Sequence, residues 1–483
     1  MNAGHPTGRL NGYAAYKPSG VEWLGDVPVH WEVRPGRAAF QEVIERDNPE
    51  EQMLSVTIAR GVIAQETLLQ DGSQKDSSRL DKSDYKLVCP GDIVYNKMRA
   101  WQGAVGMSSF RGIVSPAYVV QRPRCGSQPS YFHHLMRLPA FATEAERWSY
   151  GIASDMWSLR PEHFKMIQFP LPPLPEQHAI VRYLDYVDRR IRRYVAAKRR
   201  LIVLLEEERQ AVINQAVTRG LDPHVRLRPS GVEWLGDMPE HWEVRRLKSL
   251  GHIRYGLGQP PRESAEGLPL IRATNVERGR IIEKGLIRVD PSDVPIGRDA
   301  LLRAQEIIVV RSGAYTADSA IIPPVYEGAV AGYDLVVTAT GCLSQFVAWA
   351  LLSTYLRDVQ LITASSRAAQ PHLNAEELGA STLLVPPIYE QSAIVAHLDK
   401  ATAEIDAAIA PARRQVELVE EYRTRLIADV VTGKLDVREV AAQLPDEAED
   451  HEPVGEGWLQ ENGLAEAIHD AEEEPATAEE VTT

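Results

Sequence analysis

The residues with the greatest potential for catalysis lie in short polar motifs, and each motif lacks a part that catalysis needs. Asp92 and Lys97 in PGDIVYNK resemble part of a nuclease metal site, but no second acidic residue stands at a helpful spacing. The proline pairs in LPPL, IPPV and VPPI lack the polar first residue of an Asp/Asn-Pro-Pro-aromatic methylase motif, and no GxxxxGKS/T phosphate loop occurs. We therefore predict no catalytic, cofactor-binding or metal-binding residues and no cofactor.

Two further patterns favour structural roles. YGLGQ, Tyr255 to Gln259, contains GxG but not GxGxxG, which predicts a turn before a strand. Cys89, Cys125 and Cys342 lie far apart without a CxxC or Cys/His cluster, so neither a disulfide framework nor a zinc site is indicated.

The apolar run from Phe346 to Leu352 is far too short to span a membrane. We expect a soluble, cytoplasmic protein.

Charge is distributed unevenly along the chain. The formal charge of −14 comes from residues 444–483, because residues 1–443 hold 53 basic and 53 acidic residues. The acidic tail is rich in Ala and Pro, which predicts disorder and a solubilising role, with a decoy or partner contact as the alternative. Eight basic residues between Arg182 and Arg200 fit a solvated helix face, a phosphate-backbone contact or an acidic partner.

Two segments of the chain occur twice. PSGVEWLGDVPVHWEVR, Pro18 to Arg34, returns at Pro229 to Arg245 with 15 of 17 positions identical. LPPLPEQHAIVRYLD, Leu171 to Asp185, returns as VPPIYEQSAIVAHLD, Val385 to Asp399, with 9 of 15 identical. The stretches between these boxes barely match. The chain is therefore a tandem duplication carrying two unlike inserts, as expected when one framework recognises two different targets.

A long helix follows each second box. Pro175 can open the first helix and Gly220 can close it. Three-and-four spacing predicts a coiled-coil seam formed by Ile180, Leu184, Val187, Ile191, Leu201 and Leu205 in the first helix and by Ile394, Leu398, Ile405, Ile409, Val416 and Val419 in the second. The two seams are each other's obvious partners, and roughly forty residues give a rod of about 60 Å. Pro411 stands where the first helix has Ala197, which predicts a kink or break.

The inserts combine β-like runs with one helical portion each, near residues 131–147 and 342–361, and predict α/β globules. The predicted division is an N-terminal segment (1–37), a first globular domain (38–170), a first long helix (171–220), a second box (221–248), a second globular domain (249–384), a second long helix (385–433) and a C-terminal segment (434–483).

This order of parts resembles the specificity (S) subunit of type I restriction-modification systems. The resemblance covers nearly everything from Pro18 to Glu439 and includes both the helix boxes and insert motifs such as GDIVYNKMRAWQGAVG, LPLIRATNVERGRI and VVRSG. It implies two target recognition domains, each recognising one half of a split double-stranded DNA sequence, and an antiparallel helix pair that fixes the unread spacer in a pseudo-twofold body. It further implies a noncatalytic subunit that positions two methyltransferase subunits and ATP-dependent restriction subunits, with no membrane partner.

The resemblance locates polar loops in which DNA-contacting residues are expected. Forked Arg donors suit guanine, Asn and Gln suit adenine, and hydroxyls or charges hold phosphate. The candidates are Arg60, Asn96, Lys97, Arg99, Trp101, Ser115 and Tyr118 in the first domain, and Arg272, Thr274, Asn275, Arg278, Arg311, Ser312, Tyr315, Ser366, Arg367, Gln370 and His372 in the second. Trp101 and Tyr118 could equally be core aromatics, and Arg272 to Arg278 is the favoured loop because it concentrates several donors.

The repeated boxes are expected to have structural roles. We predict that Trp23, Trp31, Trp234 and Trp242 pack each box onto its domain, and that the proline pairs form rigid elbows. Helix surfaces near Glu176, Gln177, Glu390 and Gln391 are predicted to dock the methyltransferase subunits.

Two alternatives to DNA recognition remain open from the sequence. One is a self-sufficient DNA nuclease or methylase with a cryptic active site, and the other is a coiled-coil scaffold that binds no DNA. The divergence of the inserts argues against the scaffold, because a pure scaffold has no reason to carry two unlike domains on near-identical mounts.

Overall fold

The chain folds as two compact units in a computed structural model that describes residues 10–70, 82–124, 126–151, 157–232, 235–366 and 372–445. The first unit comprises Met1–Ala197 and Gln415–Thr483, and the second comprises Lys198–Arg414. Each unit therefore contains one insert and part of both long helices. The predictions for Trp234, Arg367, Gln370 and the tail from residue 446 lie outside the described residues.

Short strands and helices make up the first insert and its boxes, and one long helix follows them. The strands are β1 (Tyr16–Pro18), β2 (Asp26–Pro28), β3 (Glu32–Pro35), β4 (Phe40–Val43), β5 (Leu54–Thr57), β6 (Gly61–Ala64), β7 (Lys86–Val88), β8 (Ile93–Asn96), β9 (Val105–Met107), β10 (Gly112–Val114), β11 (Tyr118–Pro123) and β12 (Gln168–Leu171). The helices are α1 (Gly36–Ala39), α2 (Gln65–Gln70), α3 (Pro129–Met136), α4 (Pro139–Arg147), α5 (Pro161–Phe164) and α6 (Leu174–Arg219).

The second half of the chain repeats this plan. Its strands are β13 (Leu227–Pro229), β14 (Asp237–Pro239), β15 (Glu243–Arg246), β16 (Gly251–Tyr255), β17 (Glu263–Ile271), β18 (Val276–Glu277), β19 (Arg280–Ile281), β20 (Ile287–Val289), β21 (Ile307–Val309), β22 (Ser319–Ile321), β23 (Val330–Ala331), β24 (Leu335–Ala339) and β25 (Thr382–Val385). Its helices are α7 (Ser344–Leu351), α8 (Thr354–Leu356), α9 (Thr363–Ser365), α10 (Ala375–Ala380), α11 (Ile388–Val431) and α12 (Arg438–Ala442), with a π-helical stretch between α8 and α9.

The two inserts share a sheet although their sequences barely match. The first contains an antiparallel sheet in the order β4-β11-β8-β9, and the second contains one in the order β16-β24-β21-β22. In both, the last strand in sequence lies between the first and the second. The mixed α/β character predicted for the inserts is confirmed.

A two-stranded neck joins each insert to its box. β3 pairs with β12, so that Pro35 lies opposite Gln168, and β15 pairs with β25, so that Arg246 lies opposite Thr382. A proline pair then separates the second neck strand from the long helix, because proline cannot supply the amide hydrogen that a continuing ladder needs. The neck brings the two ends of each insert side by side.

The long helices pack antiparallel within the first unit. The Arg423 Nε donates to Asp188 at 2.5 Å, and the Tyr194 hydroxyl donates to the Gln415 side-chain oxygen at 3.0 Å. Residue numbers therefore rise along α6 as they fall along α11.

The same direction holds within the second unit. Arg413 donates to Glu206 at 2.7 Å, and Arg209 lies 3.6 Å from Asp406. The predicted pairing of the two seams is confirmed, and Gly220 ends α6 in a left-handed conformation at φ +74°, as a helix-terminating glycine should.

One predicted seam residue is corrected. Leu201 is 42% exposed and so does not pack in a seam, whereas Ile213 and Val217 farther along α6 are fully buried. Two other predicted seam residues follow the prediction, because Ile180 near the start of α6 and Leu398 near the start of α11 are both buried. A straight α-helix drifts relative to a strict seven-residue pattern, so a pattern extrapolated over its length loses its register.

The predicted break at Pro411 is also corrected, because α11 runs without interruption from Ile388 to Val431. Pro411 is exposed and stands near the end of the second unit. Its missing amide hydrogen costs one bond of the helix ladder without ending the helix.

Each unit has a core that joins insert, box and helices. In the first, Trp31, Phe132 and Ile180 belong to one buried cluster, and in the second Trp242 and Leu398 do. None of the helices in the described part of the chain is long and apolar enough to cross a membrane.

Candidate nucleic-acid interface

A buried carboxylate at the start of each long helix binds the His-Trp pair of the repeated box. Glu176 accepts from the Trp31 indole at 2.9 Å and from the Tyr13 hydroxyl at 2.5 Å, and lies 2.8 Å from the His30 Nε2. Burial, followed by the bond to Glu176, raises the pKa of Tyr13 well above its ordinary value. The carboxylate therefore links the helix to the N-terminal segment and the box.

The second repeat contains the same arrangement in a more open form. Glu390 accepts from the Trp242 indole at 2.9 Å and lies 2.6 Å from the His241 Nε2. Burial alone would raise the pKa of Glu390, but hydrogen bonds from Trp242, His241 and Tyr389 outweigh it and lower the pKa.

The neighbouring glutamines connect each helix to its insert. Gln177 accepts from the Gln128 amide at 2.8 Å and donates to the Pro172 carbonyl at 2.8 Å. Gln391 accepts from the Leu343 amide at 2.9 Å and donates to the Pro386 carbonyl at 2.9 Å. In both repeats the amide donor is the residue that precedes a helix of the insert, α3 or α7.

The four side chains bond within their own unit, and docking of another subunit by the helix surfaces near them stays a prediction. Glu176, Gln177 and Gln391 are buried, and Glu390 is three-quarters buried, because their polar atoms are bonded inside their own unit. The predicted packing of the box tryptophans onto their domains is confirmed for three of them. Trp31 and Trp242 are fully buried, and Trp23 packs edge-on against Phe141.

The first-domain candidates gather at one end of the four-stranded sheet. Asn96 and Lys97 leave β8 there, and Ser115 and Tyr118 form the turn that enters β11. Burial raises the pKa of Tyr118, while a hydrogen bond with the Val56 backbone, the positive charge of Arg99 and a hydrogen bond with Asn96 oppose this rise.

Arg60 lies at the tip of the β5–β6 hairpin beside these loops. Arg137 fixes that tip by donating to the Ile58 and Ala59 carbonyls at 2.8 and 2.5 Å and, through its other Nη, to the Val105 carbonyl at 3.1 Å. Arg60 and Arg99 are exposed. Trp101 is partly buried, donates to the Met98 carbonyl at 2.9 Å and packs edge-on against Trp157, so its ring is part of the loop's packing.

In the second domain, Arg311 lies at the centre of a cluster. It leaves β21, donates to the His372 Nε2 at 2.6 Å, and stands next to Ser312, whose backbone pairs with that of His372. Ser366 is exposed beside them, and Tyr315 is 49% exposed on the following turn.

The favoured loop from Arg272 to Arg278 is only partly available. Asn275 is fully buried and donates to the Ile282 and Lys284 carbonyls, so the prediction that it contacts a base is corrected. Arg272 is partly buried and donates to the Gly285 carbonyl at 2.8 Å. Thr274 and Arg278 are exposed, and the turn at Arg278 and Gly279 lies near Arg209 of α6.

Strand register places a basic residue at the same point of both sheets. Ile93 pairs with β9 and β11 as Ile307 pairs with β22 and β24. The fourth residue after each isoleucine is Lys97 in the first domain and Arg311 in the second. The two unlike inserts therefore present a cation at equivalent positions.

Sequence reasoning missed the tyrosines around Arg311. The Arg311 guanidinium lies 4.8 Å from the ring centre of Tyr255 and 4.3 Å from that of Tyr333. Each tyrosine stands at the end of a β-run beside a glycine, which was the available signal. Behind them, Asp334 accepts from the Arg311 amide at 3.3 Å, and burial raises its pKa to about 6.

Asp92, the acid considered for a metal site, has a structural role. It is 1% exposed and receives two bonds from Arg122, at 2.7 and 2.9 Å, and one from the Cys89 amide at 2.9 Å. Within the described part of the chain, no group of three His, Cys, Asp or Glu side chains is arranged to hold a metal ion.

Comparison with known proteins gives consistent matches. Residues 73–197 match the model of the type I restriction modification DNA specificity domain. The chain is 20% identical to the EcoKI specificity subunit of Escherichia coli K12, over 72% of this chain and 75% of that one. It is 23% identical to a putative MjaX specificity subunit of Methanocaldococcus jannaschii, over 86% and 96% of the two chains.

A solved chain from a study of complex assembly and conformational transition in the type I R-M system shares the fold. It is 16% identical, with a TM-score of 0.60 over 85% of this chain and 99% of that one.

The fold and the loop clusters define a duplicated binding protein, with one globular domain and one cationic sheet end per repeat. The matches add a likeness to this description. Residues 73–197 match the type I DNA specificity domain, and most of the chain is similar to specificity subunits of type I restriction enzymes.

Proposed function

We propose that this chain is the DNA-recognition subunit of a type I restriction-modification complex and recognises a bipartite target, one half-site per insert domain. The observation that carries the proposal is the equivalent placement of Lys97 and Arg311 at the same sheet end of two domains whose surrounding loops differ. A shared framework holds each domain to the duplex, and the unlike loops supply two different sequence preferences.

The loops after β8 and β21 have the chemistry that such contacts need. Arg60 and Arg99 are exposed cations suited to phosphate or guanine, and Asn96 offers an amide suited to adenine. In the second domain Arg311, Ser312, Ser366 and His372 form the corresponding set, with Tyr315 beside it. Contacts to phosphate position the domain, and contacts to base edges give the specificity.

The family is noncatalytic, and the chemistry belongs to partner subunits. We propose two methyltransferase subunits and an ATP-dependent restriction subunit as partners. Two copies of one partner suit a chain with two near-identical boxes and two necks of the same pairing, β3–β12 and β15–β25. The paired long helices would set the unread spacer between the half-sites.

Mapping of methylated adenines in the host genome, with and without this chain, tests the proposal. We expect a split sequence with a fixed spacer whose methylation disappears when the chain is deleted. Binding of the assembled complex to that sequence should weaken steeply with salt, because phosphate contacts release counterions. Unchanged methylation after deletion, or nuclease or methylase activity of the purified chain alone, would contradict it.

A further inference from the structure

The environment of Arg311 differs from that of the other candidate cations because two aromatic rings enclose its guanidinium. Tyr255 and Tyr333 lie within the distance of an attractive cation–π contact, and both rings remain partly exposed, at 40% and 49%. The Tyr255 hydroxyl accepts from the Ala375 amide at 3.0 Å, which holds that ring in place. The guanidinium is therefore fixed between rings that reach the surface.

The hydrogen bonds of Arg311 leave part of its fork unused. Guanidinium can only donate, so the His372 Nε2 at 2.6 Å must be the acceptor and the imidazole proton must stand on Nδ1. The Nε of Arg311 is buried and has no hydrogen-bond partner, so it does not face a ligand. Among the described residues no acceptor bonds to the other terminal nitrogen, Nη1, which leaves the Nη1 edge of the fork for a ligand.

A fixed, planar fork matches two adjacent acceptors that lie in one plane. Guanine presents two adjacent acceptors in the major groove, N7 and O6, and bidentate Arg is the commonest specific contact to them. A side chain that is already fixed loses little conformational freedom on binding. A phosphate contact needs only charge, which the exposed Arg60 and Arg99 can supply.

We propose that Arg311, held by Tyr255, Tyr333 and His372, recognises a guanine in the second half-site. This inference rests on the proposed function and goes further by naming one base and the residue that selects it. Tyr255, Tyr333 and His372 are positioning residues in this scheme. Lys97, at the equivalent position of the first domain, has no fork, so the first half-site should not share this contact.

The test selects sequences from a randomised duplex library with the full chain purified together with its copurifying subunits. Arg311→Lys keeps the charge and removes the fork. We expect it to reduce the preference for one G·C pair in the second half-site by roughly tenfold to a hundredfold. The first half-site should be selected as before, which also shows that the variant is folded.

Matched variants separate positioning from charge. Tyr333→Ala removes one wall of the enclosure and should weaken the same preference, whereas Tyr333→Phe keeps the ring and should restore it. Tyr422→Ala changes an equally exposed tyrosine on α11, outside the candidate loops, and should leave the preference intact.

Three outcomes would overturn the inference. If Arg311→Lys retains the G·C preference, Arg311 does not select the base. If Arg311→Ala weakens binding to all sequences equally, and reduces the slope of log affinity against log salt by about 1, Arg311 contacts a backbone phosphate. If the wild-type complex selects a bipartite sequence without guanine in the second half-site, only this inference fails, whereas selection of no sequence at all contradicts the proposed function as well.

Discussion

Glu176 and Glu390 occupy the same position in the two repeats, yet Glu176 should contribute more to the stability of the folded chain. The Glu176 side chain is 4% exposed and contacts Tyr13, His30 and Trp31, while that of Glu390 is 25% exposed. An amide in place of the buried carboxylate loses the negative charge and keeps one acceptor oxygen, so the bonds from the surrounding groups weaken inside the protein, where poorly satisfied polar groups are costly.

We expect Glu176→Gln to lower the free energy of unfolding by about 3 kcal/mol and Glu390→Gln by about 1 kcal/mol. Urea unfolding of the two variants, followed by tryptophan fluorescence, provides the measurement and its internal control. Equal losses would show that burial does not govern the strength of these contacts.

Asp334 predicts a pH dependence of opposite sign to that of a salt-bridged acid. Burial raises its pKa from 3.8 to about 6, despite the bond from the Arg311 amide. Between these values the folded chain keeps a proton that the unfolded chain has lost, so stability is full below about pH 4 and declines as pH rises through 6. The whole effect is about 3 kcal/mol.

Asp334→Asn should remove this decline, so that the variant matches the wild type near pH 4 and is more stable near pH 7. Thermal midpoints across that range measure it. Glu306→Gln is a control of opposite sign, because Arg254 at 2.6 Å helps to lower the Glu306 pKa against its burial. A midpoint of Asp334→Asn that follows the wild type at every pH would refute the assignment.

The sequence indicated which side chains have suitable donors more easily than it indicated which of them can reach a ligand. Composition locates Arg311 and Asn275 equally well as donors, but the fold buries Asn275 among carbonyls and encloses Arg311 between tyrosines. The Glu176 carboxylate is likewise already bonded to Trp31, because contacts distant in sequence decide which polar atoms are satisfied.

At the scale of elements, the period of apolar residues identified both long helices, and Pro175 and Gly220 marked the ends of the first. The spacing alone did not identify every seam residue, because Leu201 fits the spacing but is exposed in the folded chain. The shared sheet order of the inserts could not be read from sequences that barely match, since β pairing depends on contacts far apart along the chain.

Pro411 and Ala197 offer a reciprocal test of helix continuity. Both are exposed positions inside long helices, and only Pro411 lacks an amide hydrogen. We expect Pro411→Ala to raise the free energy of unfolding and Ala197→Pro to lower it. The difference between proline and alanine inside a helix sets an upper limit of about 3 kcal/mol for each change. Thermal unfolding monitored by circular dichroism measures both. A destabilising Pro411→Ala would indicate that the proline serves the native packing.

At the scale of the whole molecule, duplication separates what must stay constant from what can vary. The boxes and helix starts keep the Trp-Glu and Gln-amide contacts in both repeats, whereas the inserts change around a common sheet. Because the necks bring both ends of each insert together, an insert can be replaced without altering the helices.

Exchange of an insert is therefore the prediction that tests the architecture most directly. Residues 36–167, which lie between the neck strands β3 and β12, are replaced by the corresponding segment of another specificity subunit. Methylation mapping should then show a new first half-site and an unchanged second half-site and spacer. The reciprocal exchange of residues 247–381, between β15 and β25, should change only the second. If either exchange alters both half-sites, the domains do not recognise DNA independently, and the conserved necks must carry part of the specificity.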